Sequence, residues 1–119
     1  MNVGPRVLIV DDHPSFRASA RVLLEAEGFE VIGEAADGAT ALAEARRLRP
    51  EVVLLDVQLP DFDGFDVAAR LTGEADSPAV ILVSSRDGSD FGPLVTRSGA
   101  RGFVPKAELS GDRVQELLP

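Results

Sequence analysis

The chain has 119 residues, of which 45% are hydrophobic and 27% are charged, a balance typical of one folded domain with a single core. Its net charge of −8 argues against a nucleic-acid-binding face, and the absence of cysteine excludes disulfides and thiolate metal sites. The single histidine disfavours zinc, and the first apolar run, residues 7–10, is too short for a signal peptide or a membrane span. We therefore expect a cytoplasmic domain, in which carboxylates could still bind a hard cation.

The first half of the chain alternates short apolar runs with amphipathic stretches. Residues 6–10 predict a buried strand, and residues 14–28 predict a helix that begins with a proline and ends at a glycine. Residues 29–36 predict a second strand, whose polar neighbours favour a place near the sheet edge. Asp37 can cap a second helix that runs to about Arg49.

A fully apolar run, Val52 to Leu55, predicts a third strand that is buried on both faces. This strand closes on Asp56, and Pro60 then fixes a turn before a helix over residues 64–72. A carboxylate at the end of so apolar a strand is either a solvated strand end or part of a site.

The second half of the chain continues the same alternation. Residues 79–83 predict a fourth strand, and residues 88–98 a fourth helix whose first half is disfavoured by Gly92-Pro93. Residues 102–105 predict a fifth strand, and Ser110 can cap a last helix that carries Val114, Leu117 and Leu118. Five strand–helix units predict an α/β fold, the flavodoxin-like doubly wound (βα)5 architecture. Its five-stranded parallel sheet has the order 2-1-3-4-5 and helices on both faces.

Polar residues follow the predicted strands at their carboxyl ends, namely Asp11, Asp12, Asp56, Ser84 and Lys106. Because parallel strands bring these ends to one edge, the three carboxylates need a counter-charge, which Mg²⁺ with oxygen ligands can supply. The set suits phosphoryl transfer to an aspartate, with the lysine and the hydroxyl receiving the phosphoryl oxygens. Each residue alone has an ordinary alternative: a helix cap, a strand terminator or a solvated side chain. Their shared edge favours a site.

Other charged residues receive no such role. His13 is interpreted as an exposed residue beside the site. Asp61, Asp63 and Asp66 are interpreted as loop and helix-start charges.

The motifs together resemble the response-regulator receiver domain of bacterial two-component signalling, over nearly the whole chain. The matching features are the pair Asp11-Asp12, the frame D-x-x-x-P-x-x-x-G of Asp56, Pro60 and Gly64, the Ser84 hydroxyl, and G-x-x-x-K from Gly102 to Lys106. The D-D-H opening and the run G-A-R-G-F-V-P-K resemble the subfamily that often carries a helix-turn-helix output domain.

The resemblance implies a phosphoaccepting switch in which Asp56 takes a phosphoryl group from a sensor histidine kinase or a small phosphodonor. It implies that Asp12, Asp56 and the main-chain carbonyl of Gln58 ligate Mg²⁺, with Asp11 assisting. The protein would then catalyse only its own phosphorylation and dephosphorylation and would not otherwise be an enzyme.

The resemblance also implies that Ser84 and Lys106 bind the phosphoryl oxygens and that Phe103 is the aromatic switch residue. Gln58 and Arg86 occupy positions that tune dephosphorylation in the family. Phosphorylation would shift the surface formed by the fourth helix, fifth strand and fifth helix.

The chain departs from the family at Ala107, where a proline with a cis bond to the lysine is usual; a cis Lys106–Ala107 bond would cost about 3 kcal/mol. We expect residues 1–119 to form a single receiver domain with no output domain, either stand-alone or excised from a longer regulator. Its expected partners are the kinase, an output domain or partner protein, and a second copy in a phosphorylation-dependent homodimer. Direct binding of nucleic acid or membrane is not expected.

Three alternatives remain open at this stage. The first is a degenerate receiver that acts as an unphosphorylated interaction scaffold. The second is an Asp-nucleophile phosphatase, which commonly has an acid two residues after the nucleophile, where this chain has Gln58. The third is a flavin-binding module, disfavoured because Asp11-Asp12 would repel a phosphate and because the chain lacks Trp and Tyr.

Overall fold

The computed structural model describes residues 4–85 and 91–119. The strands are β1 (Arg6–Val10), β2 (Glu30–Ala35), β3 (Val52–Asp56), β4 (Ala79–Ser84) and β5 (Gly102–Pro105). The helices are α1 (Pro14–Ala26), α2 (Gly38–Leu48), α3 (Gly64–Thr72), α4 (Leu94–Arg97) and α5 (Gly111–Glu116), and a 3₁₀ turn spans Lys106–Glu108.

The strands form one parallel sheet in the order β2-β1-β3-β4-β5, which confirms the predicted topology. Strand β2 lies at an edge, as its polar pattern predicted. Strands β1 and β3 are neighbours, and Val10 pairs with Leu55 at their carboxyl ends. The residues that follow this pair therefore meet at one edge of the sheet.

Alternate residues of the central strands fill a core on each face of the sheet, because successive side chains of a strand point to opposite faces. On one face Ile9, Leu54 and Ile81 pack with buried residues of α1 and α5. On the other face Leu8 and Leu82 pack with buried residues of α2 and α3. This explains why β3 is apolar throughout: both of its faces are covered.

Three helices begin as the sequence predicted. Asp37 caps α2 by accepting the Thr40 N–H, and Ser110 caps α5 by accepting the Arg113 N–H. Helix α1 starts at Pro14 with His13 at the N-cap position and no side-chain cap. The alternative that the acidic pair before α1 serves as its cap is therefore wrong.

Two details differ from the predictions, and one bond is now defined. Within the described residues α4 spans only Leu94–Arg97, after Gly92 in a left-handed conformation (φ 52°); residues 88–90 of the predicted helix lie outside the described residues. Leu117 and Leu118 lie beyond the end of α5, although both still pack against the core. The described residues include no cis peptide bond, so Lys106–Ala107 is trans.

Candidate functional site

Two buried carboxylates lie side by side at the carboxyl edge of the sheet. Asp11 follows β1 and is 0% exposed, and Asp56 closes β3 and is 4% exposed. The register between β1 and β3 makes them neighbours. Asp12, the next residue along the chain, has a side chain that is 37% exposed. The sequence thus supplies an acidic pocket with two buried members and one at its mouth.

Lys106 joins the two buried carboxylates. Its Nζ lies 2.6 Å from Asp11 Oδ2 and 3.2 Å from Asp56 Oδ2. It comes from the residue after β5, and its Nζ also lies 4.5 Å from the centre of the Phe16 ring. A cation over an aromatic face is attracted by the ring quadrupole. One lysine for two carboxylates leaves this buried cluster with an excess negative charge.

The remaining carboxylate oxygens have specific surroundings. Asp56 Oδ1 accepts the main-chain N–H of Gln58 at 3.0 Å, and Asp11 Oδ1 accepts the main-chain N–H of His13 at 2.8 Å. Asp11 Oδ2 has no hydrogen bond of acceptable angle among the described residues, although it faces Lys106 Nζ. A buried carboxylate oxygen with only a charge contact has lone pairs that a further electropositive partner could engage.

The two aspartates differ in acidity because their partners differ. Burial raises the pKa of Asp56, the charge of Asp11 raises it further, and the Gln58 N–H and Lys106 only partly oppose this. Burial also acts on Asp11, but Lys106 and the His13 N–H outweigh it and lower the pKa of Asp11. Burial opposes the charge of Lys106, yet both carboxylates raise the pKa of Lys106. The lysine is therefore held charged, and Asp56 carries the less stable negative charge.

The side chains of the pocket lie close enough together to hold a cation. One potential ligand atom from each of Asp11, Asp12, His13 and Asp56 lies within 4.8 Å of the others. Carboxylate oxygens are the ligands that Mg²⁺ prefers, and a partly open site leaves room for the waters that it keeps. The buried Asp11 Oδ2 and the excess negative charge fit such an ion.

The predicted hydroxyl and switch residues lie on the two neighbouring strands. Ser84 ends β4, is 2% exposed, and pairs with Pro105, the residue before the lysine. Phe103 lies half-buried on β5, with its ring centre 5.3 Å from that of Phe91. Phe91 in turn makes an edge contact with Phe65 of α3 at 5.5 Å. Arg86 lies outside the described residues.

The sequence interpretation missed three contacts. His13, given no role, places Nδ1 at 2.9 Å from Asp11 Oδ1 and 3.1 Å from Asp12 Oδ1. The ring of Phe16, which lies on α1 and was assigned no role, also faces the lysine. Asp61, interpreted as a loop charge, accepts two main-chain N–H groups of α2. Only the His13 contact had a sequence signal, since it adjoins the acidic pair.

Fold and pocket together define a doubly wound α/β domain with a lysine-bridged acidic pocket at the carboxyl edge of its sheet. The response regulator receiver domain family model matches residues 7–117. The chain therefore belongs to the family of response regulator receiver domains.

Individual relatives agree with this assignment. BvgA of Bordetella pertussis, named as a virulence factors transcription regulator, is 45% identical over 87% of this chain and 49% of its own length. The receiver domain of the response regulator NarL from Mycobacterium tuberculosis has a TM-score of 0.85 at 33% identity and covers 98% of both chains. The chemotaxis response regulator CheY4 of Vibrio cholerae has a TM-score of 0.86 at 26% identity and covers 98% of this chain and 100% of its own.

The chain spans about half the length of curated relatives such as BvgA. The relatives are not all transcription regulators, because one from Alkalilimnicola ehrlichii is named as a protein-glutamate methylesterase/protein-glutamine glutaminase. It is 36% identical over 92% of this chain and 29% of its own length. Among the described residues, no helix has the length and apolar character needed to cross a membrane.

Proposed function

We propose that the chain is a phosphoaccepting signalling switch whose phosphoacceptor is Asp56. A carboxylate oxygen of Asp56 attacks the phosphorus of a phosphohistidine on a sensor histidine kinase, or of a small phosphodonor. The new O–P bond forms as the donor's own bond to phosphorus breaks, which is N–P in phosphohistidine and O–P in acetyl phosphate. The donor nitrogen or oxygen keeps the electron pair of the broken bond. The observation that carries this proposal is the buried Asp56 carboxylate beside a lysine that it shares with Asp11.

The electrostatics of the pocket support a nucleophilic role for Asp56. Burial and the neighbouring charge of Asp11 raise the pKa of Asp56. The Asp56 carboxylate is therefore less stabilised than that of Asp11. Lys106 lies within 3.2 Å of Asp56 Oδ2 and is placed to meet oxygens added there. Charge-assisted contacts to phosphoryl oxygens are among the stronger hydrogen bonds in proteins.

We propose Mg²⁺ as the cofactor, held by Asp12, Asp56 and the main-chain carbonyl of Gln58, with Asp11 assisting. When bound, the ion neutralises charge on the phosphoryl group during transfer. The residues of the chain orient the acceptor: the Gln58 N–H holds Asp56 Oδ1 at 3.0 Å, and Lys106 holds Oδ2.

We propose that Ser84 and Phe103 convert phosphorylation into a conformational change. An acyl phosphate carries about −1.5 to −2 charges where the carboxylate carried one, and it brings strong acceptors, which favours a state in which the Ser84 hydroxyl moves toward the phosphoryl group. Phe103 is half-buried against Phe91, and Phe91 lies just before α4. A change in the position of the Phe103 ring would therefore alter the α4–β5–α5 surface. This surface would carry the signal by a shift in populations.

We further propose that residues 1–119 work as one receiver domain in the cytoplasm. Its partners would be a histidine kinase and an output domain or partner protein, with a second copy after phosphorylation. Catalysis by the domain would be limited to its own phosphorylation and dephosphorylation.

The test is intact-mass measurement after incubation with acetyl phosphate, with and without Mg²⁺, on wild type and on Asp56→Asn. The proposal expects one added phosphate in wild type that depends on Mg²⁺ and is absent in the variant. A wild-type protein with no adduct and no response to beryllofluoride would instead be an unphosphorylated interaction scaffold, and the proposed site would be wrong.

A further inference from the structure

The loop between β3 and α3, residues 57–63, is closed at its base. The Gly64 N–H donates to the Val57 carbonyl at 2.8 Å, and Gln58 and Asp63 form an isolated antiparallel bridge. The Gln58 N–H points back to the phosphoacceptor Asp56. These contacts fix the base of the loop. They do not involve its tip, residues 60–62, which contacts another element.

The tip is held by α2. Asp61 Oδ1 accepts the Gly38 N–H at 2.8 Å, and its Oδ2 accepts the Ala39 N–H at 3.0 Å. These donors belong to the first turn of α2, where main-chain N–H groups have no partner within the helix. Desolvation acts to raise the pKa of Asp61, but main-chain N–H groups, first those of Gly38 and Ala39, together outweigh it and lower that pKa.

A second contact of the tip involves the neighbouring Phe62. A Cβ atom on Gly38 would lie 2.6 Å from Phe62 Cδ2, so the ring rests directly on the helix backbone. The Arg70 guanidinium of α3 lies 5.4 Å from the centre of the same ring. Asp61 supplies the hydrogen bonds of this contact, and Phe62 supplies its apolar part.

We propose that Asp61 is a positioning residue for the Mg²⁺ site, acting through the loop that carries Gln58. This inference rests on the proposed function, because the Gln58 carbonyl is one of the proposed ligands. Gln58 is held at the base of the loop, and the contact of the tip with α2 restrains the loop further, so that the carbonyl is held more firmly than by the base contacts alone. Partners that orient the ligands of a metal commonly affect its affinity strongly.

The ordinary alternative is that Asp61 only caps a helix, and the chain contains a matched control for it. Asp37 directly precedes α2 and caps the same helix by accepting the Thr40 N–H at 2.7 Å; within the described residues its side chain forms no hydrogen bond with the loop. Asp37→Ala and Asp61→Ala each remove a cap from α2. Only the second also releases the loop.

The experiment measures Mg²⁺ binding by isothermal titration calorimetry on wild type and both variants, at a temperature where all are folded. Hydrogen exchange of the Gln58 amide in the metal-free proteins is a readout that involves no ion. We expect Asp61→Ala to weaken Mg²⁺ binding by about tenfold and Asp37→Ala by less than about twofold. We also expect faster Gln58 exchange in Asp61→Ala alone.

Asp61→Asn keeps one acceptor oxygen and should fall between wild type and Asp61→Ala; it carries the test if the alanine variant does not fold. Equal Mg²⁺ affinities in Asp61→Ala and Asp37→Ala would overturn the inference and leave Asp61 as a helix cap. A wild-type protein that neither binds Mg²⁺ nor accepts phosphate would refute the proposed function instead. In that case Gln58 exchange would still show whether Asp61 holds the loop.

Discussion

Replacing Asp56 by asparagine is expected to stabilise the metal-free protein, although it removes the proposed phosphoacceptor. The carboxylates of Asp56 and Asp11 share one buried cation, Lys106. Ligand oxygens of the two carboxylates lie within 4.8 Å of each other, so their repulsion is at least about 3.5 kcal/mol for an effective dielectric constant of about 20. On the same basis, the attraction between Asp56 and Lys106 at 3.2 Å is about 5 kcal/mol.

The attraction therefore exceeds the repulsion by at most about 1.5 kcal/mol, and the Gln58 N–H adds about 1 kcal/mol. Removing a carboxylate from water costs several kcal/mol, which outweighs this gain. The raised pKa of Asp56 also indicates that its negative charge is destabilised in the folded protein: burial raises the pKa most, and the charge of Asp11 raises it further. A carboxyl whose folded pKa is raised destabilises the protein fully above the folded pKa. This cost shrinks as the pH falls through the folded pKa and is gone below the unfolded pKa.

We expect Asp56→Asn to raise the free energy of unfolding at pH 7 by about 1–2 kcal/mol in EDTA. The measurement is urea denaturation at pH 7 and again at a pH below 4. Excess Mg²⁺ should narrow or reverse the difference, since the ion stabilises only the state that it binds. Asp11→Asn should have the opposite effect, because the pKa of Asp11 is lowered in the folded protein. A metal-free Asp56→Asn protein no more stable than wild type would refute this reasoning.

Two further predictions concern stability away from the pocket. Glu34→Gln removes contacts with Arg21 at 2.8 Å and Arg17 at 3.0 Å and should cost about 0.5–1 kcal/mol at pH 7. Arg21, together with Arg17, lowers the pKa of Glu34, although burial opposes this. The cost of the substitution, measured by urea denaturation, should therefore disappear as the pH falls through the folded pKa of Glu34. A cost that stays the same in acid would show that the charge of Glu34 is not its cause. Leu54→Ala should lower the free energy of unfolding by about 2–5 kcal/mol, since Leu54 is fully enclosed. The control Val22→Ala should change it little because Val22 is 69% exposed; equal losses in the two variants would show that enclosure is not the cause.

The fold was predictable because each strand has a local apolar pattern in the sequence. The run from Val52 to Leu55 is apolar without alternation, which only a strand covered on both faces tolerates, and the structure buries all of it. Helix starts were predictable where a side chain caps its own helix, as Asp37 and Ser110 do. The end of α5 was harder to predict, because Leu117 continues the apolar pattern after the helix has stopped.

The place of the pocket followed from topology, but its contacts did not. Parallel strands bring their carboxyl ends together whatever their side chains are, so Asp11, Asp56 and Lys106 could be placed at one edge from the sequence. Which carboxylate oxygen faces the lysine depends on packing across 50 residues of chain, and no local pattern encodes it. The same holds for Asp61, whose partner Gly38 lies 23 residues earlier.

The charge balance of the pocket links these observations to the proposed switch. Asp11, Asp56 and Lys106 together carry one excess negative charge, and Asp12 at the mouth adds another. A divalent cation would neutralise that excess, which gives a physical reason for Mg²⁺ dependence without reference to any relative. Phosphorylation of Asp56 would then add negative charge to a pocket that is only just balanced. Because the interior stabilises an unpaired charge poorly, nearby donors would be drawn toward the phosphoryl group, and we propose Ser84, which is buried at the end of the adjacent strand, as one of them.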